Sequence, residues 1–182
     1  LLRELGHEVI WRDPDYPAWA VYGHVLPRMW RGIYDDVQQL PHPERLEPRT
    51  KTLARLGGLI SDQQIAKIRA AEATLAARVG SIFDDVDVLI TPGTATGPSR
   101  VGQYQHRGGI STLAMVAARV PFNAIFNATG QPAAVVPWGL DGGGVPLSLQ
   151  LVGRPSDEAT LLSLSHQIEV ARPWAGRRPP VS

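Results

Sequence analysis

Residues 127–139 read NATGQPAAVVPWG, a Gly-Gln-Pro turn followed at once by four small apolar residues and a second proline. This piece is too constrained for a surface loop and too short for a helix. Gly130 ahead of Gln131 and Pro132 allows a tight turn that sets the entry of the next segment, with Asn127 at the start of the same turn. Residues 133–138 (AAVVPW) then read as a strand that is apolar on both faces, as an interior strand is. Across the linker LDGGGVP lies a second apolar run, LSLQLVG at 147–153, so the triple glycine reads as a hairpin turn. A phosphate loop would lead from strand into helix with a Lys and a Ser or Thr behind it, and none follows here. Gln150 is a polar residue inside this apolar strand. Once buried it must find hydrogen-bond partners, which makes it a tie between neighbouring segments, with direct ligand contact as the alternative.

Working outward from the hairpin, GRPSDEATLLSLSHQIE begins a helix with Ser156 or Asp157 as N-cap and acids in its first turn. Leu161, Leu164 and Ile168 share one stripe, and Leu162 widens it. Upstream, DDVD at 84–87 reads as a loop leading into VLIT, a short buried strand that ends at Pro92. Ser61-Asp62-Gln63-Gln64 fits a capping box, and Ile65, Ile68, Leu75, Val79 and Ile82 extend that helix to about residue 83, as a surface helix packed on a sheet. Residues 18–40 carry apolar positions three or four apart and read as amphipathic helix broken near Pro27. A short helix is expected over 49–58, ending at Gly57-Gly58, and a weaker one over 110–119. LLRELG at the start reads as the last turns of a helix stopped by Gly6, with a strand from His7 to Arg12 behind it. With no N-cap before it, this opening is expected to be the remainder of a longer element, and the chain a fragment.

The 182 residues carry 43% hydrophobic and 19% charged side chains and a formal net charge of +1. That composition supports a buried core and gives no clustered basic face for nucleic acid. The one tight basic pair, Arg177-Arg178, sits in a Pro-rich tail. The chain has no Cys, which removes disulfides, thiolate metal sites and a Cys nucleophile. The histidines show no metal-ligand spacing, so neither a metal nor a cofactor is expected. No run approaches the roughly 18 apolar residues of a membrane span, and a cytoplasmic location is expected. Arg outnumbers Lys sixteen to two. Strands alternating with helices, together with a hairpin, point to an α/β fold with a mixed central sheet flanked by helices.

NATGQPAAVVPWGLDGGGVPLSLQLVGRPSDEATLL resembles the C-terminal hallmark of the amidase signature family, and DDVDVLITP and LRELGHEV resemble further segments of it. The likeness implies the C-terminal portion of a single amidase domain over 1–182, with a variable helical insertion at 17–60, core strands and helices at 61–172 and a tail at 173–182. It also implies hydrolysis of linear carboxamides by a Ser nucleophile, a second Ser in a cis peptide and a Lys general base, with backbone amides holding the oxyanion. None of these catalytic residues can be carried over. No Gly/Ser-rich segment of the required kind is present, the only lysines are Lys51 and Lys67, and no G-x-S-x-G elbow exists. What remains is a pocket wall. Ligands in open α/β sheets sit beyond the C-terminal ends of strands, so Thr91, Pro92, Gly93 and Thr94 are expected to line the substrate pocket. Phe122, Ile125 and Phe126 would add apolar contacts, with core packing as their alternative. The implied partners are a small amide substrate and the N-terminal half of the amidase, and a homodimer stays open. No direct nucleic-acid or membrane partner is expected. Two other readings stay open: the glutaminase subunit of an amidotransferase on the same fold, and a non-catalytic half that acts only with a partner polypeptide.

Overall fold

The computed structural model describes residues 1–16 and 18–177. Pro17 and the tail from Arg178 onward lie outside the described residues. The chain divides into two compact units. One, the sheet unit, is made of Leu1–Asp15, Gly80–Gly93 and the chain from Gln131 onward. The other, the helical unit, is made of Tyr16–Val79 and Thr94–Gly130.

The sheet unit holds β1 (Leu89–Pro92), β2 (Ala133–Leu140), β3 (Pro146–Val152) and α8 (Glu158–Ala171). The strand order is β1-β3-β2, and both pairings are antiparallel. Helices flanking a sheet are as expected, but among the described residues the sheet is antiparallel and not mixed, because the neighbours of β3 are joined to it by a hairpin or run opposite to it. The hairpin is present: Asp141 Oδ1 accepts from the Gly143 and Val145 amides at 2.8 and 2.9 Å. The interior strand is corrected, however. Among the described residues β3 is central and β2 lies at an edge, with Val135 59% exposed and Val136 buried. Pro137 gives the physical reason. It has no N–H for a second ladder, and the pairing slips between Pro137 and Gly139, both features that sheets confine to edges and bulges.

The core of this unit is Val136, Leu151, Leu161, Leu164 and Ile168, with Ala134, Trp138, Leu149 and Ile90 packed against it. The stripe of α8 is thus as read, but Leu162 is 68% exposed and does not widen it. Of the two possible N-caps, Asp157 makes the bond, accepting from Thr160 N at 3.4 Å. Before the sheet, the N-terminal turn ends as expected at Gly6. Gly6 sits at φ +91°, its N–H bonds Arg3 O, and the His7 N–H reaches back to Leu2 O, a paired closure of the last carbonyls. The strand expected from His7 to Arg12 is absent: these residues carry no ladder partner among the described residues, and β-rich composition alone does not make a strand.

The helical unit contains α1 (Ala18–Ala20), a π-helical turn (Val21–Val25), α2 (Leu26–Gln38), α3 (Pro48–Gly58), α4 (Asp62–Ala70), α5 (Glu72–Gly80, to Val79 in this unit), α6 (Gly109–Arg119) and α7 (Ala124–Thr129). The break anticipated near Pro27 is instead the π turn. Pro27 occupies the first turn of α2, where its missing N–H costs little, and the wider turn before it relieves the clash of its ring with the preceding carbonyls. The capping box is present in both directions, with Ser61 Oγ accepting from Gln64 N at 3.2 Å and Gln64 Oε1 accepting from Ser61 N at 2.8 Å. The long helix it starts is interrupted at Ala71, whose N–H is shared between Lys67 O and Ile68 O. This helix is divided between the two units at Val79 and Gly80. Up to Val79 it lies in the unit whose described residues hold no strand, and its buried residues there are Ile65, Leu75 and Val79.

Candidate functional site

The expected pocket residues fall in both units. Thr91 and Pro92 end β1 and Gly93 follows them in the sheet unit, and Thr94, Phe122, Ile125 and Phe126 belong to the helical unit. At the end of β1, the Gly93 N–H donates to Ser148 O at 3.0 Å, and a Cβ on Gly93 would run into the Ser148 hydroxyl. Gly93 is buried, whereas Pro92 is exposed. Gln150, 3% exposed on the central strand, donates from Nε2 to Thr91 Oγ1 at 3.3 Å, and Thr91 pairs with it in register. The polar residue in the apolar strand thus binds β3 to β1 on the sheet face opposite Leu151.

Gly130 stands at φ +77° and closes α7, its N–H bonded to Phe126 O at 2.9 Å. The chain then leaves through buried Gln131 and half-buried Pro132 into β2, and Pro132 O accepts from Gly153 N at 3.0 Å. Within the helical unit, Ile125 and Phe126 are 1% and 3% exposed, and the Phe126 ring meets Tyr16 edge-on at 6.5 Å. Phe122 is half-buried, Asn127 is exposed on α7, and Thr94 is exposed with its hydroxyl on Thr96 O.

The acidic run 84–87 and the G-R-P segment explain each other. Arg154 donates to Asp87 Oδ1 at 3.0 Å, to Phe83 O at 2.8 Å and to Val86 O at 3.2 Å, while Asp85 is taken by Arg12 at 2.7 Å. Two of the three carboxylates serve ion pairs that hold the approach to β1.

Sequence reasoning missed His24. It sits in the π turn, 3% exposed, and neither ring nitrogen has a hydrogen-bond partner. A single His in an apolar helical run carries no spacing signal, so nothing in the sequence marks it. Burial lowers its pKa from the usual value, the Arg28 charge lowers it further, and Glu72 opposes them. The unfolded chain therefore binds the His24 proton more readily than the folded one. Stability should be full above about pH 6.5 and fall as pH drops below that value, until the folded form also protonates. Urea unfolding midpoints between pH 8 and pH 5 should show this acid loss, and His24→Leu should flatten it. An unchanged slope in the variant would remove His24 as the cause.

Among the described residues, no helix is long and apolar enough to cross a membrane. The chain is 63% identical over 182 residues to the Mycobacterium tuberculosis (strain ATCC 25618 / H37Rv) protein named "Putative amidase AmiB2", covering 100% of this chain and 39% of that protein. It is 33% identical over 180 residues to "Putative amidase AmiA2" of the same strain, covering 99% of this chain and 37% of that one. The fold matches that of 6-aminohexanoate cyclic dimer hydrolase with a TM-score of 0.79 at 20% identity, over 98% of this chain and 40% of that one. The chain thus spans less than two fifths of the length of these two curated relatives. The amidase family model matches residues 12–162, well over half of the sequence. With the G-R-P clamp, the Gly130 turn and the Gln150 tie in place, the chain belongs to the amidase family.

Proposed function

We propose that this chain is the C-terminal portion of an amidase that hydrolyses linear carboxamides to a carboxylic acid and ammonia or an amine. The observation that carries this reading is the 63% identity along all 182 residues to a protein of which they cover only 39%. Identity at that level argues for shared chemistry, and the coverage leaves room for catalytic residues elsewhere in the relative. The chain's own polar groups favour the same division of labour. Amide hydrolysis needs a hydroxyl activated by a neighbouring base. Here Lys51 Nζ donates to Glu44 O at 2.6 Å, and the Ser61, Ser99 and Ser111 hydroxyls are engaged with Gln64, Tyr104 and Gly108 O. In this reading the Ser, cis-Ser and Lys come from the N-terminal half, the working compartment is the cytoplasm, and Thr91, Pro92, Gly93 and Thr94 contribute one wall of the substrate pocket.

The chain by itself should release no ammonia above background from small carboxamides. A chimera joining it to the N-terminal part of the Mycobacterium tuberculosis relative should restore turnover. Ammonia release is read by a coupled assay on both proteins at equal concentration. Turnover by the 182-residue chain comparable with that of a complete amidase would overturn the proposal.

A further inference from the structure

The helical unit contains a cleft of about 890 Å³ whose charges are not balanced locally. It runs along one face of α4, where Asp62, Ile65, Ala66 and Arg69 recur at the spacing that stacks side chains on one helical stripe. Facing residues of α2 include Arg28, Arg31 and Asp35. Arg28 is matched by Glu72 at 2.8 Å. Arg31 meets two carboxylates, Asp35 at 2.8 Å and Asp62 at 2.6 Å, so one guanidinium stands between two acids and leaves a surplus negative charge at that end. Those hydrogen bonds hold the Arg31 pKa above its ordinary value, with Asp35 as the leading cause. Arg69 has no ion-pair or hydrogen-bond partner among the described residues, which leaves a surplus positive charge at the other end. The seven residue steps from Asp62 to Arg69 rise about 10 Å along the helix axis. Between the two ends lie the apolar Ile65 and Ala66, and the unbonded amide of Asn127 lines the same cleft.

We propose that this cleft binds an extended zwitterion whose opposite charges stand about 10 Å apart, its carboxylate on Arg69 and its ammonium on the Asp35–Asp62 pair. An α-amino acid carries its two charges too close together to reach both ends. A fully extended peptide of three residues spans about 10 Å, and a straight-chain ω-amino acid of matching length presents the same two charges. The volume lies in the range of small-molecule sites. Pairing of a planar guanidinium with a carboxylate favours Arg at the anionic end. The site is independent of the amide-hydrolysis reading and is tested by binding alone.

Calorimetric titration of the full chain with trialanine should give saturable one-to-one binding. Trialanine amide and N-acetyl-trialanine, each lacking one charge, should bind at least fivefold more weakly. Arg69→Gln should erase the preference for trialanine over its amide. Asp62→Asn, or Asp35→Asn where the change in the first turn of α4 harms folding, should erase the preference over the acetylated form. 8-Aminooctanoate should bind as trialanine does if the charges alone are read, and more weakly if Asn127 reads the peptide amides; both results support the site. Absence of trialanine binding, or equal binding of the two blocked peptides and trialanine, would overturn it.

Discussion

Gly57→Ala should destabilise the chain by about 3 kcal/mol, the upper end of what a single added methyl normally costs in a packed interior. The Gly57-Gly58 pair closes α3, but neither residue stands at positive φ, so the pair is not a left-handed cap. Its role is close approach. A Cβ on Gly57 would overlap Trp30 O and lie 2.5 Å from Trp30 C and 2.9 Å from Tyr34 Cβ. Two of those atoms are backbone of α2, so no rotamer change relieves the clash and α3 has to move as a body. A Cβ on Gly58 would meet the Tyr34 ring at 2.9 Å, which a side chain can partly yield to, so Gly58→Ala should cost less. The contrast is Gly32→Ala in the interior of α2, where a Cβ meets nothing within 4 Å. There the gain in helix propensity should dominate and stabilise by about 0.5–1 kcal/mol. Chemical unfolding followed by circular dichroism reads all three. A Gly57→Ala variant as stable as the parent would mean that the two helices are not held this close.

The same pair shows what was legible in the sequence and what was not. That α3 ends at Gly58 is readable from glycine's low helix propensity. That Gly57 lies against the Trp30 carbonyl is set by the approach of another helix and has no local signature. The hairpin, the Gly130 turn, the Ser61 capping box and the Leu161, Leu164, Ile168 stripe were readable because each is decided by residues a few positions apart. Strand order was not. AAVVPW reads as interior on composition, yet Pro137 and the slip at Gly139 suit an edge, and centrality passes to LSLQLV, whose Gln150 looked the less suitable. For the candidate site, Gln150 was correctly read as a polar tie because a buried amide must be bonded. Its partner Thr91, 59 residues away, follows only from strand register. The charge imbalance along α4 was invisible for the opposite reason. Asp62 and Arg69 look like ordinary solvated charges until Arg31 from α2 is seen to sit between two acids while Arg69 has none.

Leu151→Ala should cost about 3–4 kcal/mol, through lost burial and the cavity left behind. Leu151 is fully buried on the central strand, with Ile90 opposite it on β1 and Ala134 opposite it on β2. Neither neighbour is well placed to fill the space: Ala134 has no further side chain to extend, and Ile90 is a β-branched residue with restricted χ1. The far side of the site is closed by Leu161, Leu164 and Ile168 of α8, which is held on the sheet by these same contacts. The loss should therefore not be softened to the low end of the observed range by collapse. Leu162→Ala removes the same atoms from α8 at a position 68% exposed, and should change stability by no more than about 0.5 kcal/mol. Measuring both in one urea series separates the two accounts of α8. If Leu162→Ala proved as damaging as Leu151→Ala, the helix would have to be turned by about one residue, with Leu162 rather than Leu161 facing the sheet. A small effect at Leu151 would place the centre of the apolar core elsewhere than on β3.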